Sequence, residues 1–300
     1  MRDCLFTGVI PALPTPFDSD EQVNHEAIAA FVERLVEVEG IDGLFVCGST
    51  GEWWALSEEE RRGVAEAAVK AVRGRVPVMI HVGTSSTGVS ERLAQHAERI
   101  GADAISALPP VGRAFPAEAI WEHFRAIGAA CGLPLYLYHL PQQYGDLITM
   151  DRFVAALETI PTLAGAKFSS YRIDNLIDLR TRTKGALNLI SGCGEQLMSA
   201  IGAGADGSIC TWYNLMPRLA RKIIDCVEAG DVPGARTHED LLVRAGKSMM
   251  GNGIGFVKRL AARSGIDLGQ PRRPMPPLTD EQLAQGVARL EEAGVLSWII

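Results

Sequence analysis

One lysine among six stands in an apolar setting. Lys167 lies in the segment LAGAKFS, between Ala166 and Phe168, at the end of a short hydrophobic run. Burial favours the neutral form of an amine, and a neutral amine in an apolar pocket is a nucleophile toward ketones. Lys167 is therefore a candidate for imine (Schiff-base) formation with a keto compound. The same sequence also fits a lysine that buries its stem and extends its head to solvent at a strand end. Lys70, Lys222, Lys247 and Lys258 lie in helical stretches with charged or polar neighbours, and Lys184 ends a helix beside Gly185.

Imine chemistry needs a group that moves protons. Tyr138 ends the apolar run PLYLYHLP. Neighbouring strands lie about 5 Å apart, so if the runs holding Tyr138 and Lys167 are adjacent strands, the phenol reaches a substrate on the lysine. Tyr136 points to the same side one layer deeper. A tyrosine merely packed, with its hydroxyl satisfied, is the alternative. A third element is GSTGE, residues 48–52, directly after the run GLFVCG. A tight turn there presents backbone N–H groups and the Ser49 and Thr50 hydroxyls to an anion such as a carboxylate. A generic loop between strand and helix uses the same residue types.

These residues need elements to position them. Apolar runs near residues 9, 45, 80, 105, 137, 166, 189 and 209 alternate with amphipathic stretches. The runs are nearly continuous, as strands buried on both faces are. Helices are predicted over 24–39, with Asn24 as cap, and over 57–73, where Ser57 and Glu60 form a capping box. Others fall near 86–100, 117–130, 150–159, 173–183, 194–203 and 215–229. Eight strand–helix units in about 230 residues predict an α/β fold, a closed (β/α)8 TIM barrel over residues 1–230. Residues 231–300 read as a C-terminal helical extension, with helices near 233–249, 252–264 and 279–294 and the connector QPRRPMPP between the last two. In such a barrel chemistry collects at the C-terminal ends of the strands, where Lys167, Tyr138 and GSTGE all lie.

Composition excludes several classes. The 300 residues are 47% hydrophobic and 22% charged, with a net charge of −7 and no basic run, which argues against nucleic-acid binding. No apolar stretch reaches the roughly 18 residues of a membrane helix, and the opening MRDCLFTGVIPALPTPF has no signal-peptide core. Cys4, Cys47, Cys131, Cys193, Cys210 and Cys226 form no C-x-x-C pair and no zinc spacing with histidine. Reduced thiols, a cytoplasmic location and no metal site are expected. GAGADG at 202–207 precedes a strand instead of following one, and GNGIG at 251–255 lies between helices, so neither is assigned a nucleotide. His139 is the one histidine inside a site motif, in a supporting role.

With these residues placed, the chain resembles the dihydrodipicolinate synthase / N-acetylneuraminate lyase family of Schiff-base aldolases. FTGVIPALPTPF, GSTGE, YHLP, GAKFS and DGSICTWYN carry the likeness in order and spacing. The phrases IHVGTSSTGVSERLAQHAERIGADAIS, GAKFSSYRIDNL and SGCGEQLMSAIGAGADG have the character of the N-acetylneuraminate lyase branch, especially its animal type. The resemblance implies that Lys167 forms the imine, that Tyr138 relays a proton at the C4 hydroxyl, and that Ser49 and Thr50 hold the pyruvyl carboxylate. It implies that Ser169, Gly192, Glu195 and Thr211 contact the sugar-derived tail. It further implies a homotetramer acting on a small 2-keto acid, with pyruvate as product or co-substrate. No cofactor is needed, because the lysine imine is itself the electron sink.

Departures narrow this further. Pro141 is followed by Gln142, Gln143 and Tyr144, without the arginine of dihydrodipicolinate synthase proper, and LPPVGRAF lacks that branch's interface tyrosine. The acidic pair of the sialic acid lyases is here Gly194–Glu195, and bulky Trp53, Trp54 and Trp212 stand where smaller residues are usual, which predicts a smaller or more apolar tail pocket. The expected activity is reversible cleavage of sialic acid to pyruvate and N-acetylmannosamine. An aldolase or dehydratase for another 2-keto-3-deoxy sugar acid or an aromatic pyruvate adduct is the alternative, and a non-catalytic keto-acid-binding barrel is the alternative of another class.

Overall fold

The computed structural model describes residues 5–37, 39–249 and 251–300. Cys4 lies outside them. Eight strands form one parallel sheet: β1 (Gly8–Pro11), β2 (Leu44–Val46), β3 (Val78–His81), β4 (Ala104–Ala107), β5 (Leu135–His139), β6 (Leu163–Phe168), β7 (Asn188–Ser191) and β8 (Gly207–Cys210). Their order is β1-β8-β7-β6-β5-β4-β3-β2, and the Ala12–Phe45 bridge joins the two ends. The sheet is thereby a nearly closed TIM barrel, as the alternating pattern predicts.

The strand sequences explain why the sheet curls into a barrel. Almost every strand residue is buried, and successive residues serve opposite faces. Leu135 and Leu137 of β5 join the large apolar layer between sheet and helices. Tyr136 and Tyr138 of the same strand join a separate cluster with Phe6, Ile10, Phe45, Met79, Ile190 and Ile209, which fills the lumen. Gly165 of β6 is required at its place. A Cβ there would lie 2.1 Å from the Asn188 carbonyl oxygen and 2.6 Å from the Tyr136 ring. Beneath it, the Tyr136 hydroxyl donates to Asn188 Oδ1 at 2.8 Å.

The outer layer comprises α1 (His25–Glu37), α2 (Glu58–Val72), α3 (Thr87–Arg99), α4 (Ala117–Ala129), a one-turn α5 (Pro141–Tyr144), α6 (Met150–Thr159), α7 (Ile173–Arg182), α8 (Leu197–Gly202) and α9 (Pro217–Glu228). Asn24 caps α1 by accepting from Ala27 N–H at 3.0 Å. The predicted capping box on α2 is present: Ser57 Oγ accepts from Glu60 N–H at 3.1 Å, and Glu60 Oε2 accepts from Ser57 N–H at 2.8 Å. The stretch predicted as one helix over 194–203 divides into a 3₁₀ turn, Gly194–Gln196, and α8, because Gln196 leaves the helical conformation. Neither α5 nor the later start of α9 follows from periodicity. Both begin at proline, which favours the first helical position.

The extension is α10 (Val232–Ser248), α11 (Gly253–Ala261) and α12 (Asp280–Glu292). Lys258 of α11 has the charged and polar neighbours its sequence implied, but it meets them in the interior and not at the surface. It is fully buried and paired with the equally buried Glu52 of GSTGE at 2.6 Å. The helix explains this: Ile254, Val257 and Ala261 share its inward face with Lys258. Trp212, after β8, packs against Gly246 of α10 and Gly253 of α11.

Candidate active site

Lys167 and Tyr138 face each other as Cα partners on adjacent strands. Both point into the lumen, because each sits on the inward phase of its strand. Lys167 is 4% exposed, and its Nζ lies 4.1 Å from the centre of the Tyr138 ring and 4.0 Å from that of Phe45. An amine held between two aromatic faces is shielded from water, and its cationic forms are attracted to the rings. No carboxylate forms an ion pair with Lys167 among the described residues.

The GSTGE loop closes over this pair. Ser49 Oγ lies 3.4 Å from Tyr138 Oη, and Thr50 Oγ1 lies 2.7 Å from Thr211 Oγ1. Glu52 N–H donates to Ser49 O at 3.1 Å, and the Thr15 hydroxyl donates to Gly51 O at 2.7 Å. Cys47 and Glu52, at the two ends, adopt left-handed backbone conformations that non-glycine residues rarely take. The structure thus brings Lys167, Tyr138, Ser49, Thr50 and Thr211 to one mouth of the barrel.

A buried layer supports the mouth from β3 and α2. His81 Nδ1 lies 3.1 Å from Cys47 O, and its Nε2 accepts from Leu108 N–H at 3.4 Å. Burial first, then the Arg61 guanidinium and the Lys167 ammonium, push the His81 pKa well below the usual imidazole range, so the ring is neutral. It meets the Tyr138 ring edge-on at 6.0 Å. Arg61 is buried too: it donates to Gly83 O at 3.1 Å and to His81 O, and lies 5.7 Å from the Trp53 ring.

At the ends of β6 and β7, Ser169 and Gly192 are in contact. The Ser169 hydroxyl is buried without a hydrogen-bond partner, and a Cβ on Gly192 would lie 1.8 Å from it. Gln142 braces the backbone here, donating to Ser169 O at 2.6 Å and accepting from Tyr171 N–H at 3.1 Å. Glu195 is exposed at the rim, where its charge is the main cause of a raised Tyr171 pKa. Gly194 leaves room for Cys210: a Cβ there would lie 2.5 Å from Cys210 Sγ. Trp53 is buried beside His81, and Trp212 packs on the extension, so these two rings serve packing contacts. His139 faces outward on β5, stacked 4.8 Å from Phe168, and burial lowers its pKa to about 4.

Phe45, His81, Arg61, Tyr171 and Glu52's buried pairing were not read from the sequence. Only Glu52 carried a signal, as the last residue of a site motif. Among the described residues no group of three or more His, Cys, Asp or Glu side chains could hold a metal ion, and no helix is long and apolar enough to cross a membrane.

Comparison with known proteins bears on this geometry. The model of the dihydrodipicolinate synthetase family matches residues 5–293. The N-acetylneuraminate lyase of Citrobacter koseri is 37% identical over 247 residues, covering 80% of this chain and 82% of that one. The N-acetylneuraminate lyase of Mus musculus is 32% identical, covering 97% and 93%. A catalytic lysine mutant of the Ruminococcus gnavus sialic acid aldolase superposes with a TM-score of 0.93 at 29% identity, covering 98% of this chain and 99% of that one.

Proposed function

Because the chain belongs to the dihydrodipicolinate synthetase family, we propose that its site runs the Schiff-base chemistry of an N-acetylneuraminate lyase, cleaving sialic acid reversibly to pyruvate and N-acetylmannosamine. The observation that carries this reading is the shielded Lys167 amine in register with Tyr138, whose hydroxyl neighbours Ser49.

In this reading the Lys167 amine adds to the keto carbon and water leaves, giving a protonated imine. Ser49, Thr50 and nearby backbone N–H groups hold the adjacent carboxylate. Tyr138 takes the proton of the C4 hydroxyl as the C3–C4 bond breaks. The bonding pair flows to the iminium and leaves an enamine. Reprotonation at C3 and hydrolysis release pyruvate and free the amine. Ser169, Gly192, Glu195 and Thr211 line the side on which the sugar tail extends. Residues 1–230 act as the catalytic barrel and 231–300 as its helical extension. Family likeness carries a cytoplasmic homotetramer, which light scattering on the purified protein and its location in the cell would check.

Pyruvate with sodium borohydride, followed by peptide mapping, tests the chemistry: one adduct, on Lys167, is expected. Pyruvate release from sialic acid tests the substrate. A second reading, an aldolase or dehydratase for a shorter 2-keto-3-deoxy sugar acid, is favoured by the single exposed carboxylate of Glu195 beside Gly194. Faster turnover of such an acid than of sialic acid would select it. A barrel that binds keto acids without reacting would give no adduct.

A further inference from the structure

Glu52 ends the loop that holds Ser49 and Thr50, and Lys258 comes from the extension, 206 residues later. Both side chains are fully buried. Lys258 Nζ donates to Glu52 Oε1 at 2.6 Å and to Gln270 O at 3.0 Å, and lies 4.2 Å from the Phe17 ring. Glu52 Oε2 accepts from Arg272 N–H at 2.8 Å. The Arg272 side chain then donates to Ala55 O at 2.9 Å and to Glu60 Oε1 at 2.7 Å, fixing the segment that follows the loop.

The extension also grips the other side of the mouth. Thr50 meets Thr211 at 2.7 Å, and Trp212, the next residue, packs on Gly246 and Gly253. A Cβ on Gly253 would lie 2.7 Å from that ring. One unit therefore holds both partners of the Thr50–Thr211 hydrogen bond.

A fully buried ion pair is a weak source of stability, because desolvation opposes the attraction. Burial indeed pushes the Glu52 pKa up and that of Lys258 down to about 8, both against the charged forms. Stability alone does not account for placing this pair behind a ligand-holding loop.

We propose that Glu52 and Lys258 are positioning residues: through their pair, the extension holds the Ser49–Thr50 loop where it receives the carboxylate of the 2-keto acid bound to Lys167. This rests on the Schiff-base reading above.

The test is borohydride trapping across a pyruvate titration, with melting temperature measured alongside. In Lys258→Met, half-saturation is expected to rise about tenfold or more while the plateau of Lys167 labelling matches wild type, as when binding alone is weakened. Lys258→Arg, which keeps the cation, is expected to stay within about threefold of wild type. A lowered melting temperature with unchanged half-saturation would make the pair merely structural and overturn the proposal. Should Lys258→Met not fold, the Glu52→Gln/Lys258→Met double variant removes both charges and strands neither. A raised half-saturation there supports the proposal, and an unchanged one overturns it. Absence of labelling in the wild type is a distinct outcome that overturns the Schiff-base reading and this inference with it.

Discussion

Lys167 and Tyr138 share one site, and in the proposed mechanism they do different work that their replacements separate. Lys167→Ala is expected to abolish both borohydride adduct and turnover. Tyr138→Phe keeps the ring beside Lys167, so the adduct should still form while kcat falls by about 10²–10⁴-fold. Loss of the adduct in Tyr138→Phe would remove the phenol from the proton path. At the proposed tail contacts, Gly192→Ala places a methyl against the buried Ser169 hydroxyl. Pyruvate trapping should be untouched, while KM for a long sugar acid rises more than for a short one; equal effects on both would detach Gly192 from the tail. The nearness of Lys167 and Tyr138 was legible because both end consecutive strands of a barrel, and neighbouring strands lie about 5 Å apart. Phe45 was not, since it reaches Lys167 across the lumen from β2, and nothing local to either residue marks that meeting. The burial of Lys258 was missed because its flanking residues were weighed instead of its helical face, where Ile254, Val257 and Ala261 stand.

Elements were legible where one local rule governs them. All eight strands and the capped starts of α1 and α2 follow from runs of apolar residues and from Asn24, Ser57 and Glu60. Ser57→Ala should therefore cost about 1 kcal/mol of stability, seen in urea unfolding, with kcat unchanged. A loss of activity at full folding would mean that the start of α2 also steers the neighbouring loop. Local rules failed where tertiary contacts decide, as in the break at Gln196 before α8 and the one-turn α5. Both pieces brace the loop after β6, Gln142 on Ser169 O and Gln196 on Ser170 O, so the region proposed to set substrate choice is also the part least written in periodicity.

For the whole molecule, acid sensitivity follows from buried histidines. Burial lowers His123 and His139 to about 4 and His81 well below its usual range. The folded chain keeps these rings neutral, whereas the unfolded chain protonates them near pH 6.5. Between about pH 6.5 and 4 the unfolded state binds more protons, so stability falls as pH falls, by up to roughly 3 kcal/mol for each of His123 and His139. Urea midpoints at about pH 7 and pH 5 should show the decline; a higher midpoint in acid would contradict it. Between β1 and β2 the barrel is fastened at the Ala12–Phe45 bridge, where Leu13 N–H donates to Phe45 O at 2.8 Å. Phe45 is thus both the clasp of the ring of strands and one of the two faces against Lys167. A substitution that parts β1 from β2 at this point would therefore be felt at the amine as well as in the closure of the strands.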